Sequence, residues 1–168
     1  SFSFIGQGFI AGIPVPVYVF IIIAVAAYVF LAHTATGRYI FAVGSNAETA
    51  RLSGVNVERT TIQVFVLSGI AIALASIVYL ARLTAAQPTA GQSYEMEAVA
   101  ATVIGGTSIA GGEGGIFGTV IGAVIVTVIR NGLVQLGVGS YFTTLVVGVI
   151  IIAAVSLDVI RTRIAANK

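Results

Sequence analysis

Residues 1–32, 60–81 and 131–157 carry no aspartate, glutamate, lysine or arginine, and Ile, Val, Leu, Phe and Ala dominate them. Apolar runs of this length have few stable fates. A helix needs about 20 predominantly apolar residues to cross the hydrocarbon core of a bilayer, whereas a soluble helix needs only one apolar face. The whole chain leans the same way, with 58% hydrophobic residues, 8% charged residues and a mean hydropathy of +1.07 over 168 residues. An ordinary water-soluble domain does not have that composition. The chain therefore reads as an all-α membrane protein, a polytopic transmembrane helical bundle forming part of a single membrane domain.

Five hydrophobic segments are expected, at about 14–33, 62–81, 98–110, 116–130 and 141–157, with a polar loop at 34–61. Pro14 and Pro16 stand at the entrance of the first, where the missing N–H of proline does no harm. Tyr141 and Phe142 read as interfacial anchors of the last. Short loops rich in Lys and Arg stay cytoplasmic. Loop 34–61 holds Arg38, Arg51 and Arg59, and the tail 158–168 holds Arg161, Arg163 and Lys168, whereas 82–97 has Arg82 alone. Both basic segments are expected inside, separated by an even number of crossings. Four crossings satisfy this, and so do two crossings with a re-entrant hairpin at 98–130. The N-terminus is expected outside. The opening residues lack both a starting Met and the basic stretch of a signal peptide, so the chain reads as beginning internally.

Within loop 34–61, Ser45 and Glu48 have the S-x-x-E spacing of a capping box, and Gly54 stands where a left-handed C-cap ends a helix. A helix of about two turns is expected between them. Ala47, Ala50 and Gly54 give it a small-residue face, with Glu48 and Arg51 one turn apart beside it. Helices this short are marginal alone in water and need a surface to dock on. Either a partner or the protein's own membrane domain satisfies that requirement.

Two apolar pieces, 98–110 and 116–129, flank the sequence AGGEGG. Gly114, Gly118 and Gly122 recur every four residues, the small-xxx-small spacing that lets helix backbones approach closely in lipid. A tightly packed hairpin is the expected result. Gly105, Gly106, Thr107 and Ser108 interrupt an otherwise long apolar segment, and broken backbone at membrane depth is tolerated only where it is buried in protein or lines a cavity. Glu113, in the middle of the break, fits a plain turn as well as a gate. Glu95 and Glu97 precede an apolar run, where carboxylates favour a helix N-terminus.

Several chemistries lack their parts. The chain has no cysteine, so disulfides and thiolate sites are absent, and its one histidine, His33, reads as an interfacial imidazole at the end of an apolar run. No metal site, hydrolase triad or proton relay can be assembled. There is no G-x-x-x-x-G-K-[ST] loop to cradle ATP phosphates, and Gly6-x-Gly8-x-x-Ala11 has no preceding strand to make it a dinucleotide fingerprint. No basic stripe interleaves with aromatics, so nucleic acid is not an expected partner. The chain is not expected to be an enzyme.

Three stretches, GRYIFAVGSNAETARLSGV (37–55), ARLTAAQPTAGQSYEMEAVAATVIGGTSIAGGEGG (81–115) and IFGTVIGAVIVTVIRNGLVQLGVGSYF (116–142), resemble a known family. It comprises the integral-membrane permease subunits of ATP-binding-cassette importers, in particular the ribose and monosaccharide group related to branched-chain amino-acid permeases. The likeness runs along nearly the whole chain, and ARL-x-x-AQPTAG followed by IGGTS-x-x-GG is specific to the sugar branch. Members of the family are close to twice this length, and the likeness is to their C-terminal half. The chain is thus expected to be a fragment, one product of a split gene or a truncated form. Arg130 stands where the family often has a smaller or polar residue.

The resemblance implies that Ser45, Asn46, Ala47, Glu48, Ala50, Arg51 and Gly54 belong to a cytoplasmic helix that couples the membrane domain to a separate ATPase. ATP and Mg would then sit on that partner, with no cofactor on this chain. It further implies a second permease subunit, a periplasmic or lipoprotein substrate-binding protein, and a bacterial inner-membrane location with the C-terminus cytoplasmic. A polyol needs hydrogen-bond partners and aromatic faces. Gln87, Thr89, Gln92, Ser93 and Tyr94 could supply them, and the expected translocation-path elements are Gln87, Pro88, Thr89 and Gly91 together with the helix break at Gly105, Gly106, Thr107 and Ser108. The rival readings are a scaffold that assembles through its glycine ladder and transports nothing, a passive channel, and an importer of branched-chain amino acids.

Overall fold

The computed structural model describes residues 2–83, 91, 92 and 94–139, and beyond these residues 142, 145, 146, 148–150, 152 and 156. The expected fifth span, 141–157, falls largely outside the described residues. The order of elements is α1 (Phe2–Gln7), β1 (Phe9–Ile10), β2 (Ile13–Pro14), α2 (Val15–His33), α3 (Ala35–Ser45), α4 (Ala47–Leu52), α5 (Val57–Leu83), α6 (Tyr94–Ile104) and α7 (Ile116–Gln135). Helix dominates, and the protein is an all-α polytopic membrane protein. The chain divides into two compact units, Ser1–Ala90 and Gly91–Lys168.

Among the described residues three helices, α2, α5 and α7, are long and apolar enough to cross a bilayer. Helix α2 is apolar on every side and has no buried residue. Phe65 on α5 is 74% exposed and Val128 on α7 is 63% exposed. Such surfaces suit lipid rather than water, and the helical backbone satisfies its own polar groups, as hydrocarbon requires.

In the first unit, a two-strand hairpin precedes α2, pairing Phe9 with Pro14 and Ile10 with Ile13. Its turn is Ala11–Gly12, both at positive φ (50° and 80°), the left-handed pair that suits the twist of a two-residue hairpin. Helix α1 packs on α5. The Gln7 side-chain amide donates to the Arg82 carbonyl at 3.2 Å, and Ala81 is 1% exposed. The Gly6–Gly8–Ala11 pattern is thus used for a helix contact and a turn.

Loop 34–61 holds more helix than the sequence reading expects. Helix α2 stops because Thr34 turns extended (φ −108°, ψ 156°) and its hydroxyl oxygen accepts from the Gly37 N–H at 3.1 Å, which starts α3. The same hydroxyl donates to the Phe30 carbonyl at 2.6 Å, so one side chain closes one helix and opens the next. Helices α3 and α4 then pack on each other and on α5.

The second unit contains the α6–α7 hairpin. Helix α6 spans 94–104 rather than 98–110, and at the 1.5 Å rise of an α-helix its length is about 16 Å, half of a bilayer core. Helix α7 continues past 130 to Gln135 and reaches full spanning length. Ala100, Ala101 and Val126 form the buried core between them, with Ile104 and Ala123 packed against it.

Candidate functional site

Helix α4 is built by two caps. Asn46, not Ser45, is its N-cap: Asn46 is extended (φ −158°, ψ 105°) and its side chain accepts from the Thr49 N–H at 2.9 Å. Ser45 is still the last residue of α3, so its backbone cannot take the extended conformation that a cap requires. The Asn46 N–H donates to the Ala42 carbonyl at 3.1 Å, making this residue the end of one helix and the start of the next. At the other end Gly54 has φ +84°. Its N–H donates to the Arg51 carbonyl and the Val55 N–H to the Ala50 carbonyl, both at 3.0 Å, the two bonds of a Schellman motif. Replacing Asn46 with alanine is expected to cost the helix about 1 kcal/mol, enough to unwind a six-residue element. Hydrogen exchange should then show lost protection at 47–52 with α2 and α5 unchanged.

Packing of α4 on α3 and α5 sets which residues face outward. Ala47, Glu48 and Arg51 are exposed, whereas Ala50 is 5% exposed and is the buried residue of α4. Ala50 therefore seats the helix on its own protein and is not on the outer surface with Ala47. Glu48 lies in the first turn and Arg51 in the last, each complementing the helix dipole, and they make no ion pair with each other. Leu52, a large apolar side chain outside the spanning helices, is 84% exposed. Sequence reasoning passed over it. The available signal was a lone leucine between Arg51 and Ser53 in a capped polar helix.

The glycine break in the second unit is a helix end followed by a tight hairpin. Gly106 has φ +85°, its N–H donates to the Val103 carbonyl at 2.9 Å, and the Thr107 N–H donates to the Thr102 carbonyl at 3.0 Å. Ser108 organises the turn: its N–H donates to the Glu113 carbonyl at 3.0 Å, its carbonyl accepts from the Gly111 N–H at 3.2 Å, and its hydroxyl oxygen accepts from the Ala110 N–H at 3.3 Å. Backbone approach follows directly. A Cβ on Gly118 would collide with the Gly105 carbonyl and one on Gly122 with the Ala101 carbonyl. Gly114 precedes α7 and faces the Thr107 side chain, so it takes part in the turn and not in the helix crossing. Gly91, at φ +82°, accepts the Tyr94 N–H at 3.0 Å just before α6. Gln87, Pro88 and Thr89 lie outside the described residues.

At the end of the hairpin away from this turn, the Arg130 Nη1 donates to both carboxylate oxygens of Glu97, at 2.7 and 2.8 Å. The Arg130 guanidinium carbon stands 5.3 Å from the centroid of the Tyr94 ring. This is the one ion pair among the described residues.

The family described as the permease component of branched-chain amino-acid transport systems matches residues 1–155. The chain belongs to that family. It is 49% identical over 157 residues to the ribose import permease protein RbsC of Escherichia coli (strain K12), a match that covers 94% of this chain and 49% of the relative. With RbsC of Bacillus subtilis (strain 168) it shares 44% identity over 158 residues, covering 94% and 49%. The xylose transport system permease protein XylH of Escherichia coli (strain K12) is 42% identical over 147 residues, covering 88% and 37%. The chain thus spans about half the length, or less, of these relatives. No solved structure matches it.

Proposed function

We propose that this chain is part of the permease subunit of an ATP-driven importer and carries a monosaccharide across a bacterial inner membrane. The observation that supports this best is the 49% identity to a ribose import permease along 94% of the chain. In this reading the ATPase is a separate chain that holds ATP and Mg, and it docks on the outward face of α4. Closure of two ATPase subunits around ATP pushes on α4, and the spans rock to give alternating access around a midplane path. The face that meets the ATPase comprises Ala47, Glu48, Arg51 and Leu52, with Leu52 as the apolar anchor. A second permease subunit and a substrate-binding protein complete the assembly, and the C-terminus lies in the cytoplasm. Gly105–Ser108 and the 87–91 stretch belong to the path.

The test is uptake by proteoliposomes that hold the complete permease containing this sequence, its ATPase and its binding protein. Radiolabelled D-ribose or D-xylose should accumulate only with ATP inside the compartment that faces α4. Sugar equilibrating without ATP would identify a channel. Failure of the permease to retain an ATPase would identify a scaffold, and ATP-driven accumulation of leucine in place of either sugar would move the substrate to the amino-acid class.

A further inference from the structure

Arg130 is a charge on a helix long and apolar enough to cross a bilayer. It lies about 21 Å along α7 from Ile116 and about 7 Å before Gln135, on a helix whose length matches a bilayer core of about 30 Å. Ionisable side chains on spanning helices are costly, and they persist facing a bundle interior or a water-filled cavity, usually paired. Glu97 supplies the pair from α6, and within this chain the Arg130 and Glu97 side chains are 38% and 24% exposed.

Among the described residues the pair also leaves binding capacity unused. A guanidinium carries five N–H donors in a planar fork, and among the described residues only Nη1 of Arg130 is engaged. The guanidinium stands over the Tyr94 ring, within the range of a cation–π contact. An open fork of donors next to a carboxylate acceptor matches adjacent hydroxyl groups, each of which donates and accepts.

We propose that Tyr94, Glu97 and Arg130 form a hydroxyl-recognition station for the transported monosaccharide on the α6–α7 hairpin. The proposal rests on the monosaccharide-importer reading above. Arg130 donates through Nε and Nη2 to sugar oxygens, Glu97 accepts from a neighbouring hydroxyl while holding Nη1, and Tyr94 positions the guanidinium.

The experiment compares ATP-driven uptake of D-ribose, D-xylose and 2-deoxy-D-ribose by the complete importer. Its variants are Arg130→Lys and the charge swap Glu97→Arg/Arg130→Glu. Lysine keeps the attraction to Glu97 but loses the fork, and the swap keeps the interhelical pair but reverses what a sugar meets. Loss of one hydroxyl contact should change the uptake ratio among the three sugars by about tenfold in Arg130→Lys, with ATPase retention and thermal stability as in the parent. The swap should assemble without recovering the parent ratios. Wild-type uptake and ratios in the swap, or unchanged ratios in Arg130→Lys, would show an interhelical clip and overturn the proposal. A parent importer that moves none of the three sugars would overturn the importer reading itself, an outcome distinct from transport with unaltered selectivity.

Discussion

Replacing Gly118 with leucine is expected to destroy the α6–α7 hairpin. Any Cβ at this position would collide with the Gly105 carbonyl, and backbone cannot move aside as a flexible side chain can. Pushing the helices apart would also open the core of Ala100, Ala101 and Val126, where Ala100 is 0% exposed. Overpacking alone costs about 1–3 kcal/mol, and the lost small-residue contact adds to it, so a total above about 3 kcal/mol is expected. Thermal unfolding in detergent should show a large fall or no cooperative transition. The control is Gly132→Leu on the same helix, where nothing lies within 4 Å of an added Cβ. That change should be neutral or slightly stabilising, since leucine is the better helix former. Equal losses at both positions would show that helix propensity and not backbone approach decides.

Replacing Leu52 with aspartate is expected to cut ATPase association and sugar uptake while leaving the membrane domain as stable as before. A side chain 84% exposed contributes little to its own fold, so the loss should appear only in the complex. Burying one leucine at an interface is worth about 1.5–3 kcal/mol, which corresponds to a drop in affinity of about 10- to 100-fold. Co-purification of the ATPase with the permease and ATP-driven uptake both read this effect. Ala50→Leu should behave in the opposite manner. Ala50 is 5% exposed, so the added side chain would lever α4 off its seat and lower stability whether or not an ATPase is present. If Leu52→Asp binds the ATPase as tightly as the parent does, the outward face of α4 is not the docking surface.

The contrast between these neighbours marks where sequence reasoning reaches its limit in loop 34–61. A short helix ended by Gly54 was legible, because a left-handed glycine cap and the polar residues before it act within one turn. Two adjacent residues, Ser45 and Asn46, both carried N-cap chemistry, and spacing to Glu48 favoured the wrong one. The choice depended on α3 running through Ser45, and α3 in turn began at Thr34. The face that turned inward depended on how α4 met α3 and α5, which a six-residue pattern does not encode.

In the hairpin, the recurrence of glycines announced close packing but not which of them met the partner helix. Gly118 and Gly122 do so because α7 starts at Ile116, whereas Gly114 lies before that start and faces Thr107 in the turn. Glu97 and Arg130 were each visible as isolated charges near apolar runs. Their pairing across 33 positions arises only when α6 folds back on α7.

What the sequence by itself determined is the class of molecule and the order of its parts. Long charge-free runs admit a bilayer, and a polar segment between them must lie outside it, because backbone and side-chain desolvation act on every residue irrespective of its distant neighbours. The tertiary structure alone decided which side of α4 is buried, which glycines touch, and that Arg130 finds Glu97 beside Tyr94. Those outcomes depend on the close approach of helices, set by side-chain and backbone shape over a few ångströms.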